Sequence, residues 1–203
     1  MLLDDREIAK RIEWSVPKRY HRCRFSSFDA YTKTLIQKVA SIQKLIGDRR
    51  SVFLFGAPGV GKTHLAVSAL AEFIKLGADY KFVGCTDYVY TVQDAFGNPK
   101  DIVRELVEND IVLIDDLASE KATESARSSL LFLVDQIYSR RKIAIVTSNE
   151  SPKQIHAFEP RIASRLSEMC GFVELVADDF RIRTAGQRQK LVQSRNTATE
   201  AVN

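Results

Sequence analysis

Short apolar runs alternate along this chain with longer stretches in which an apolar residue recurs every three or four positions. The short runs predict strands over residues 51–55, 80–85, 111–114, 143–147 and 172–176. Runs that are apolar at successive positions are typical of parallel strands covered by helices on both faces. Strands that alternate with helical stretches therefore predict a parallel α/β sheet.

The 3.6-residue periodicity predicts helices over residues 4–14, 62–76, 87–96, 101–108 and 122–140. A further helix begins after Asp29, which we expect to cap it, and ends at Gly47. Its apolar stripe consists of Leu35, Val39, Ile42 and Ile46. This stripe is expected to pack on the core of the domain.

Length and composition favour one well-packed domain, since the chain has 203 residues of which 45% are hydrophobic. Leu2 and Leu3 are followed at once by charged residues, and no apolar run is long enough to cross a membrane. We therefore expect a cytoplasmic protein without a membrane partner. The three cysteines are far apart and outside metal-binding spacing, which favours reduced, partly buried thiols over disulfides or zinc.

The net charge is +4, and the basic excess is concentrated at the two ends of the chain. Residues 1–50 hold 12 Lys and Arg against 6 Asp and Glu. Within them, the segment Lys18–Phe25 interleaves cations with aromatic residues. This segment has two interpretations, a nucleic-acid contact that neutralises phosphates and stacks bases, or a solvated entry into the domain.

The strongest motif lies between the first predicted strand and the helix that follows it. It fits the pattern Gly-x-x-x-x-Gly-Lys-Thr and consists of Gly56, Ala57, Pro58, Gly59, Val60, Gly61, Lys62 and Thr63. Glycines let backbone N–H groups approach a phosphate chain, and the helix N-terminus adds partial positive charge. Lys62 would reach the β and γ phosphates, and the Thr63 hydroxyl would hold Mg²⁺. The alternative, a glycine-rich turn without a ligand, does not account for the predicted strand before the motif and the predicted helix after it.

Polar side chains follow two other predicted strands, at the edge where ligands gather in parallel sheets. Asp115 and Asp116 follow the strand that begins at Ile111, and Asn149 follows the next one. One carboxylate can hold hydrated Mg²⁺ while the other activates a water that Asn149 positions. Alone, each group also suits a solvated turn. Together with the phosphate loop they predict ATP hydrolysis.

The ordered motifs of this chain resemble those of the DnaC/IstB-type AAA+ ATPases, which comprise replicative helicase loaders and transposition ATPases. The motifs are Gly56–Ala66, Leu113–Glu120, Thr147–Asn149, Arg161–Leu166 and Asp179–Arg181, within residues 14–184. The resemblance implies an AAA+ P-loop fold with a five-stranded parallel sheet of the ASCE type and a rudimentary C-terminal lid. It divides the chain into residues 1–50 (helix, basic linker and amphipathic helix), 51–184 (ATPase domain) and 185–203 (polar, disordered tail).

The same resemblance implies roles for individual residues. ATP would bind along residues 56–64, ending at His64, and Thr63 and Asp115 would hold Mg²⁺. The implied catalytic residues are Asp116 as the base, Asn149 as sensor 1, Arg165 as an arginine finger that enters a neighbouring subunit, and Arg181 as sensor 2. Arg161 and Arg183 are the alternatives for the two arginine roles.

The function implied is to load a hexameric, DnaB-like replicative helicase onto single-stranded DNA, with self-association through the arginine finger. The alternative within the family is an IstB-like transposition ATPase that acts with a transposase on DNA. A helix near residues 86–100, with Lys100 as its cation, would line a channel for the single strand. Residues 1–14 would bind the helicase, unless the partner is different. Two other classes stay open: a kinase with the same phosphate loop, and a module that nucleotide occupancy switches without turnover.

Overall fold

A five-stranded sheet in the order β2-β3-β4-β1-β5 forms the centre of the computed structural model, and every neighbouring pair is parallel. The strands are β1 (Ser51–Phe55), β2 (Tyr80–Gly84), β3 (Ile111–Asp115), β4 (Ile143–Ser148) and β5 (Cys170–Glu174). The structure describes residues 2–94, 99–118, 123–180 and 182. Because β4 lies between β1 and β3, the sheet has the predicted ASCE arrangement, and the predicted parallel α/β fold is confirmed.

The helices are α1 (Asp5–Glu13), α2 (Lys33–Gly47), α3 (Lys62–Lys75), α4 (Cys85–Asp94), α5 (Pro99–Glu108), α6 (Glu124–Ser139), α7 (Pro152–Phe158) and α8 (Pro160–Met169). Two short 3₁₀ turns, Lys18–Tyr20 and Phe25–Ser27, lie between α1 and α2. Among the described residues, no helix combines the length and the apolar character that a membrane span needs.

The sheet separates two apolar cores. One contains residues of α4 to α8, and the other joins α1, α2 and α3. Ile12 of α1 and Ile42 of α2 are completely buried in the second core beside Leu70 of α3. Burial of each such side chain contributes about 1.5–3 kcal/mol. The N-terminal segment therefore packs on the same side of the sheet as the helix that follows the phosphate loop.

The start and the end of α2 differ from the expectation. Asp29 does not cap this helix, because Thr32 is the N-cap residue and its hydroxyl accepts the Leu35 N–H at 3.1 Å. Gly47 is the last helical residue rather than the stop. The left-handed residue that ends the helix is Arg49, with φ 52°.

The region between β4 and β5 holds two helices, α7 and α8, that the periodicity did not predict. Because α8 leads directly into β5, the strand begins at Cys170, two residues before the predicted start. Leu175 nevertheless continues the pairing, since its N–H donates to the Phe55 carbonyl at 2.8 Å. Residues 95–98, 119–122, 181 and the predicted tail 185–203 lie outside the described residues.

Candidate active site

The carboxyl ends of β1, β3 and β4 bring the predicted phosphate-loop lysine against the predicted sensor. Nζ of Lys62 donates to the carbonyl oxygens of Gly56 and Ala57, both at 2.8 Å, and to Oδ1 of Asn149 at 2.7 Å. The Lys62 side chain is buried. A buried ammonium requires such acceptors, so the loop and the end of β4 hold one charged group between them.

One carboxylate oxygen of Asp115 accepts hydrogen bonds from two hydroxyl groups. Oδ1 accepts from Oγ1 of Thr63 at 2.8 Å and from Oγ1 of Thr147 at 2.7 Å. Carboxylate and hydroxyl oxygens are the ligands that Mg²⁺ takes when it also binds phosphates. The residues predicted as magnesium ligands thus lie in direct contact and fit that ion.

Asp116 is held from two sides at the start of the loop after β3. Its N–H donates to Oγ1 of Thr147, and its Oδ1 accepts from Nδ2 of Asn149, at 2.8 and 2.7 Å. Its backbone is left-handed, with φ 63°, a conformation that concentrates at functional positions in proteins. Asn149 therefore links the lysine to this carboxylate.

Thr147 is a site residue whose role the sequence did not reveal. Its hydroxyl donates to the Asp115 carboxylate and accepts the Asp116 N–H. The side chain is buried at the end of β4. A polar residue directly after the apolar run 143–146 was the signal in the sequence, because a buried hydroxyl needs a hydrogen-bond partner.

The segment after β5 crosses the phosphate loop. Gly59 has φ 79°, and its carbonyl accepts the Phe180 N–H at 3.1 Å. A Cβ at Gly59 would collide with the carboxylate of Asp179, and one at Gly56 would collide with the carbonyl of Leu175. Gly56 thus permits the close approach of the Leu175 backbone, and Gly59 leaves room for the Asp179 carboxylate; both also have the positive φ that favours glycine.

A cavity of about 610 Å³ lies between the phosphate loop, the strand ends and the segment between α1 and α2. Cavities of this size hold nucleotide-sized ligands. The segment that precedes α2 contributes Arg19, Tyr20, Phe28 and Tyr31 to the lining of this cavity. Part of the basic and aromatic segment Lys18–Phe25 thus lines the candidate nucleotide cavity, a position that neither interpretation of that segment predicted.

Tyr31 connects the two segments that border this cavity. Its hydroxyl accepts the Asp178 N–H at 3.0 Å and lies 3.4 Å from the Asp178 carboxylate, to which it donates. Tyr31 precedes α2, whereas Asp178 follows β5. This contact between residues far apart in the chain had no signal in the sequence.

His64 attaches the segment before α2 to the first turn of α3. Its Nε2 is 3.0 Å from the Arg24 carbonyl, and its ring meets the edge of Phe28 with a centroid distance of 5.4 Å. Burial lowers the pKa of His64, against the opposing effect of the Arg24 carbonyl. His64 is the last residue of the predicted nucleotide-binding stretch, and it lines the cavity.

The two described arginines predicted as finger candidates lie on α8, and neither lines the cavity of its own chain. Arg165 forms an ion pair with Asp135 of α6, and its guanidinium lies 5.3 Å from the centre of the Tyr138 ring. Arg161 pairs with Glu159 at 3.0 Å. Arg181 and Arg183, the sensor 2 candidates, lie outside the described residues.

The three cysteines, Cys23, Cys85 and Cys170, are buried free thiols. Burial raises the pKa of Cys23 to about 11 and that of Cys170 to about 12. Nucleophilic attack and metal binding need the thiolate. Cys23 therefore contributes packing rather than chemistry where it borders the cavity.

Residues 4–187 of this chain match the model of a protein family described as IstB-like ATP binding protein. The chromosomal replication initiator protein DnaA of Caldanaerobacter subterraneus subsp. tengcongensis is 30% identical over 151 residues, 71% of this chain and 33% of that protein. DnaA of Clavibacter sepedonicus is 27% identical over 143 residues, 68% of this chain and 30% of that protein. The chain thus spans about a third of the length of these curated relatives.

Three solved structures share the fold. The DnaC helicase loader superposes with a TM-score of 0.71 at 21% identity, covering 79% of this chain and 100% of that one. The structure of DnaI superposes with a TM-score of 0.68 at 16% identity, and the match covers 80% of this chain and 93% of DnaI. DnaA from Aquifex aeolicus bound to AMPPCP superposes with a TM-score of 0.67 at 18% identity, and the match covers 86% of this chain and 56% of that one. At these identities the likeness concerns the fold, which is that of AAA+ domains.

Proposed function

Because the chain belongs to the family of IstB-like ATP-binding proteins, we propose that it hydrolyses Mg²⁺-ATP in the cavity above the phosphate loop and acts in DNA replication. The observation that carries the proposal is the connected set Lys62, Asn149 and Asp116. A nucleotide-binding module that lacked turnover would need the lysine but not a carboxylate held by the same amide. This set therefore favours hydrolysis over binding alone.

The chemistry follows from the hydrogen bonds of these residues. Lys62 is held by two loop carbonyls and Asn149, so its ammonium exchanges part of this shell for phosphate oxygens when ATP binds. Asn149 keeps the Asp116 carboxylate oriented, and that carboxylate takes a proton from the attacking water. The amide thereby couples the occupancy of the phosphate site to the position of the base.

Thr63 and Asp115 would hold the magnesium ion, which neutralises charge on the phosphates. Their oxygen atoms already lie 2.8 Å apart. Thr147 supports this pair, because its hydroxyl donates to the same carboxylate oxygen that Thr63 reaches. The chain thus supplies one charged ligand and one neutral ligand, with a third residue that fixes the carboxylate.

The arginine that stabilises the departing phosphate would come from a neighbouring copy of the chain. Arg165 and Arg161 lie on α8 and do not line the cavity of their own chain, which supports a role at the nucleotide of another subunit. The side chain of Arg165 is 32% exposed and that of Arg161 is 67% exposed. We assign the finger to Arg165, which must first leave Asp135, with Arg161 as the alternative and Arg181 as sensor 2.

The biological step we assign is the loading of a hexameric, DnaB-like helicase onto single-stranded DNA, in which α4 and the start of α5 contact the strand. In its support, the DnaC helicase loader structure is matched over its whole length. The description of the family favours a second candidate, a transposition ATPase. Capture assays with tagged full-length chain and ATP, using a replicative helicase and a transposase as prey, separate the two. Capture of the transposase alone would contradict helicase loading.

Self-association through the finger has a separate test. Specific ATPase activity should rise with protein concentration, and Arg165→Ala should lower it without weakening nucleotide binding. Lys153→Ala, which removes an exposed cation from α7, serves as the control. Activity per molecule that is independent of concentration would contradict a finger supplied by a second subunit.

A further inference from the structure

Five cationic side chains gather at the edge of the sheet opposite the nucleotide cavity. They are Arg49 and Arg50 in the turn from α2 to β1, and Arg140, Arg141 and Lys142 in the turn from α6 to β4. Because β1 and β4 are neighbours in the sheet, the two turns lie side by side. The four arginines are exposed, and Lys142 is half-buried. We call these five residues the basic edge.

The basic edge borders two adjoining hollows of about 550 and 420 Å³, which share Arg49, Arg141, Lys142 and Ile143. Among the described residues, no ion pair joins a carboxylate to any of the five cations. Glu168 lines one hollow and is hydrogen-bonded to the Tyr138 hydroxyl. Asp110 lines the other and accepts the Asp79 N–H at 3.2 Å. Both carboxylates already have partners of their own.

Three helices end at this edge with the same backbone hydrogen bonds. The N–H groups of Arg50, Ala78 and Lys142 donate to carbonyls five residues earlier, at 2.9, 3.2 and 3.0 Å, in the turns that close α2, α3 and α6. Such a turn needs one left-handed residue, which is usually glycine. The turn after α3 uses Gly77, with φ 86°.

The other two turns place arginine at that left-handed position. Arg49 has φ 52° and Arg141 has φ 53°. An L-residue is strained in this conformation, because its Cβ lies too close to the following carbonyl oxygen. A cation near a helix C-terminus interacts favourably with the helix dipole, but a lysine one turn earlier would give the same benefit without strain. Stability therefore does not account for arginine at both positions, whereas a ligand for the guanidinium groups does.

We propose that the basic edge binds the phosphate backbone of a nucleic acid, independently of base sequence. Guanidinium groups match phosphate oxygens with paired N–H donors. An acidic protein partner would also need an apolar anchor site. Phe73 and Ile111 of the second hollow are buried, so among the described residues that line it Leu76 is the one exposed large apolar side chain, which is too little for such an anchor. This surface lies at the opposite ends of the strands from the ATP cavity, and the inference does not depend on hydrolysis.

The test uses the full-length chain carrying Arg49→Gly and Arg141→Gly together. Glycine suits both left-handed positions, so the melting temperature should stay equal or rise. Affinity for fluorescent 30-mer DNA without nucleotide should fall about tenfold, and the slope of log affinity against log salt should decrease by about 1.4–1.8 for two lost phosphate contacts. Single-stranded and duplex 30-mers, measured in parallel, identify which form the edge prefers.

Lys33→Gln with Lys153→Gln is the matched control, because it removes two exposed cations near the opposite ends of the strands. It should keep wild-type affinity and salt slope. Should the glycine variant fail to fold, Arg50→Glu tests the same surface and should weaken DNA binding. Unchanged affinity in either variant overturns the proposal, as does equal competition by polyglutamate at the same charge concentration. ATP turnover, recorded separately, distinguishes a failure of the proposed ATPase from a failure of this surface.

Discussion

Nζ of Lys62 donates a hydrogen bond to Oδ1 of Asn149 at 2.7 Å, which joins the phosphate loop to the end of β4. The other end of the Asn149 amide donates to Asp116 at 2.7 Å. One amide therefore contacts both the lysine proposed to bind phosphate and the carboxylate proposed to activate water.

Replacement of Lys62 by alanine should weaken ATP binding at least about 100-fold, since a charge-assisted contact to phosphate is lost in a buried site. Titration with a fluorescent ATP analogue measures the change. Lys153→Ala, on the surface of α7, should bind as the wild type does. Equal affinities for all three proteins would show that the loop is not the phosphate site.

Thr147→Val should loosen both aspartates, because valine keeps the shape of threonine but lacks its hydroxyl. We expect the free energy of unfolding to fall by about 1–3 kcal/mol, as for a buried group left without its partner. The Mg²⁺ concentration needed for half-maximal turnover should rise. Urea denaturation and magnesium titrations measure the two effects.

Thr91→Val is the matched control for this variant, because the Thr91 hydroxyl is exposed and bonds only within its own helix, to the Asp87 carbonyl. It should change neither stability nor the magnesium requirement appreciably. A magnesium requirement that Thr147→Val leaves at the wild-type level would remove Thr147 from the site.

His64 gives the fold a dependence on pH whose sign is fixed by its lowered pKa. Just below pH 6.5 the imidazole of His64 is protonated in the unfolded chain but still neutral in the folded chain, because its pKa is lower there. The contribution to stability is thus complete above about pH 6.5 and is lost as the pH falls below it. His64→Gln should reduce the drop in melting temperature between pH 7.5 and 5.5.

His156→Gln, which changes an exposed histidine of α7, should retain the full wild-type drop. Melting curves of the three proteins at both pH values provide the measurement. A drop that is identical in His64→Gln and the wild type would contradict a lowered pKa of the half-buried His64.

Tyr31→Phe should speed the release of nucleotide. The variant loses the acceptor for the Asp178 N–H, and one hydrogen bond contributes about 0.5–1.5 kcal/mol, so the dissociation rate should rise up to about tenfold. Stopped-flow chase of a fluorescent ATP analogue measures that rate. Tyr90→Phe, at an exposed position of α4, should behave as the wild type, and an unchanged rate in Tyr31→Phe would exclude a role in retention.

Local signals in the sequence account for much of this architecture. The strand Ser51–Phe55 has the predicted bounds, because an apolar run ends at a loop that only glycine permits. The helices α7 and α8 also had local signals that the apolar pattern obscured. Each has proline in its first turn, and Ser151 and Gln154 form a capping box.

The contacts that complete the cavity had no such signals. Tyr31 and Asp178 are 147 positions apart, and their meeting depends on how the segments before α2 and after β5 cross the sheet edge. Arg19 and Tyr20 were visible as a basic and aromatic pair, yet their position beside the phosphate loop follows from the packing of α1 against α3. Long-range packing, rather than local propensity, decides these positions.

The most direct test of hydrolysis at this site is ATP turnover by Asp116→Asn compared with the wild type, at saturating ATP and Mg²⁺, with nucleotide affinity measured on the same samples. The amide cannot accept a proton from water, so phosphate release should fall about 10²–10⁴-fold while the affinity for ATP stays within about threefold. Turnover equal to that of the wild type would contradict the assignment of this site as a hydrolytic centre.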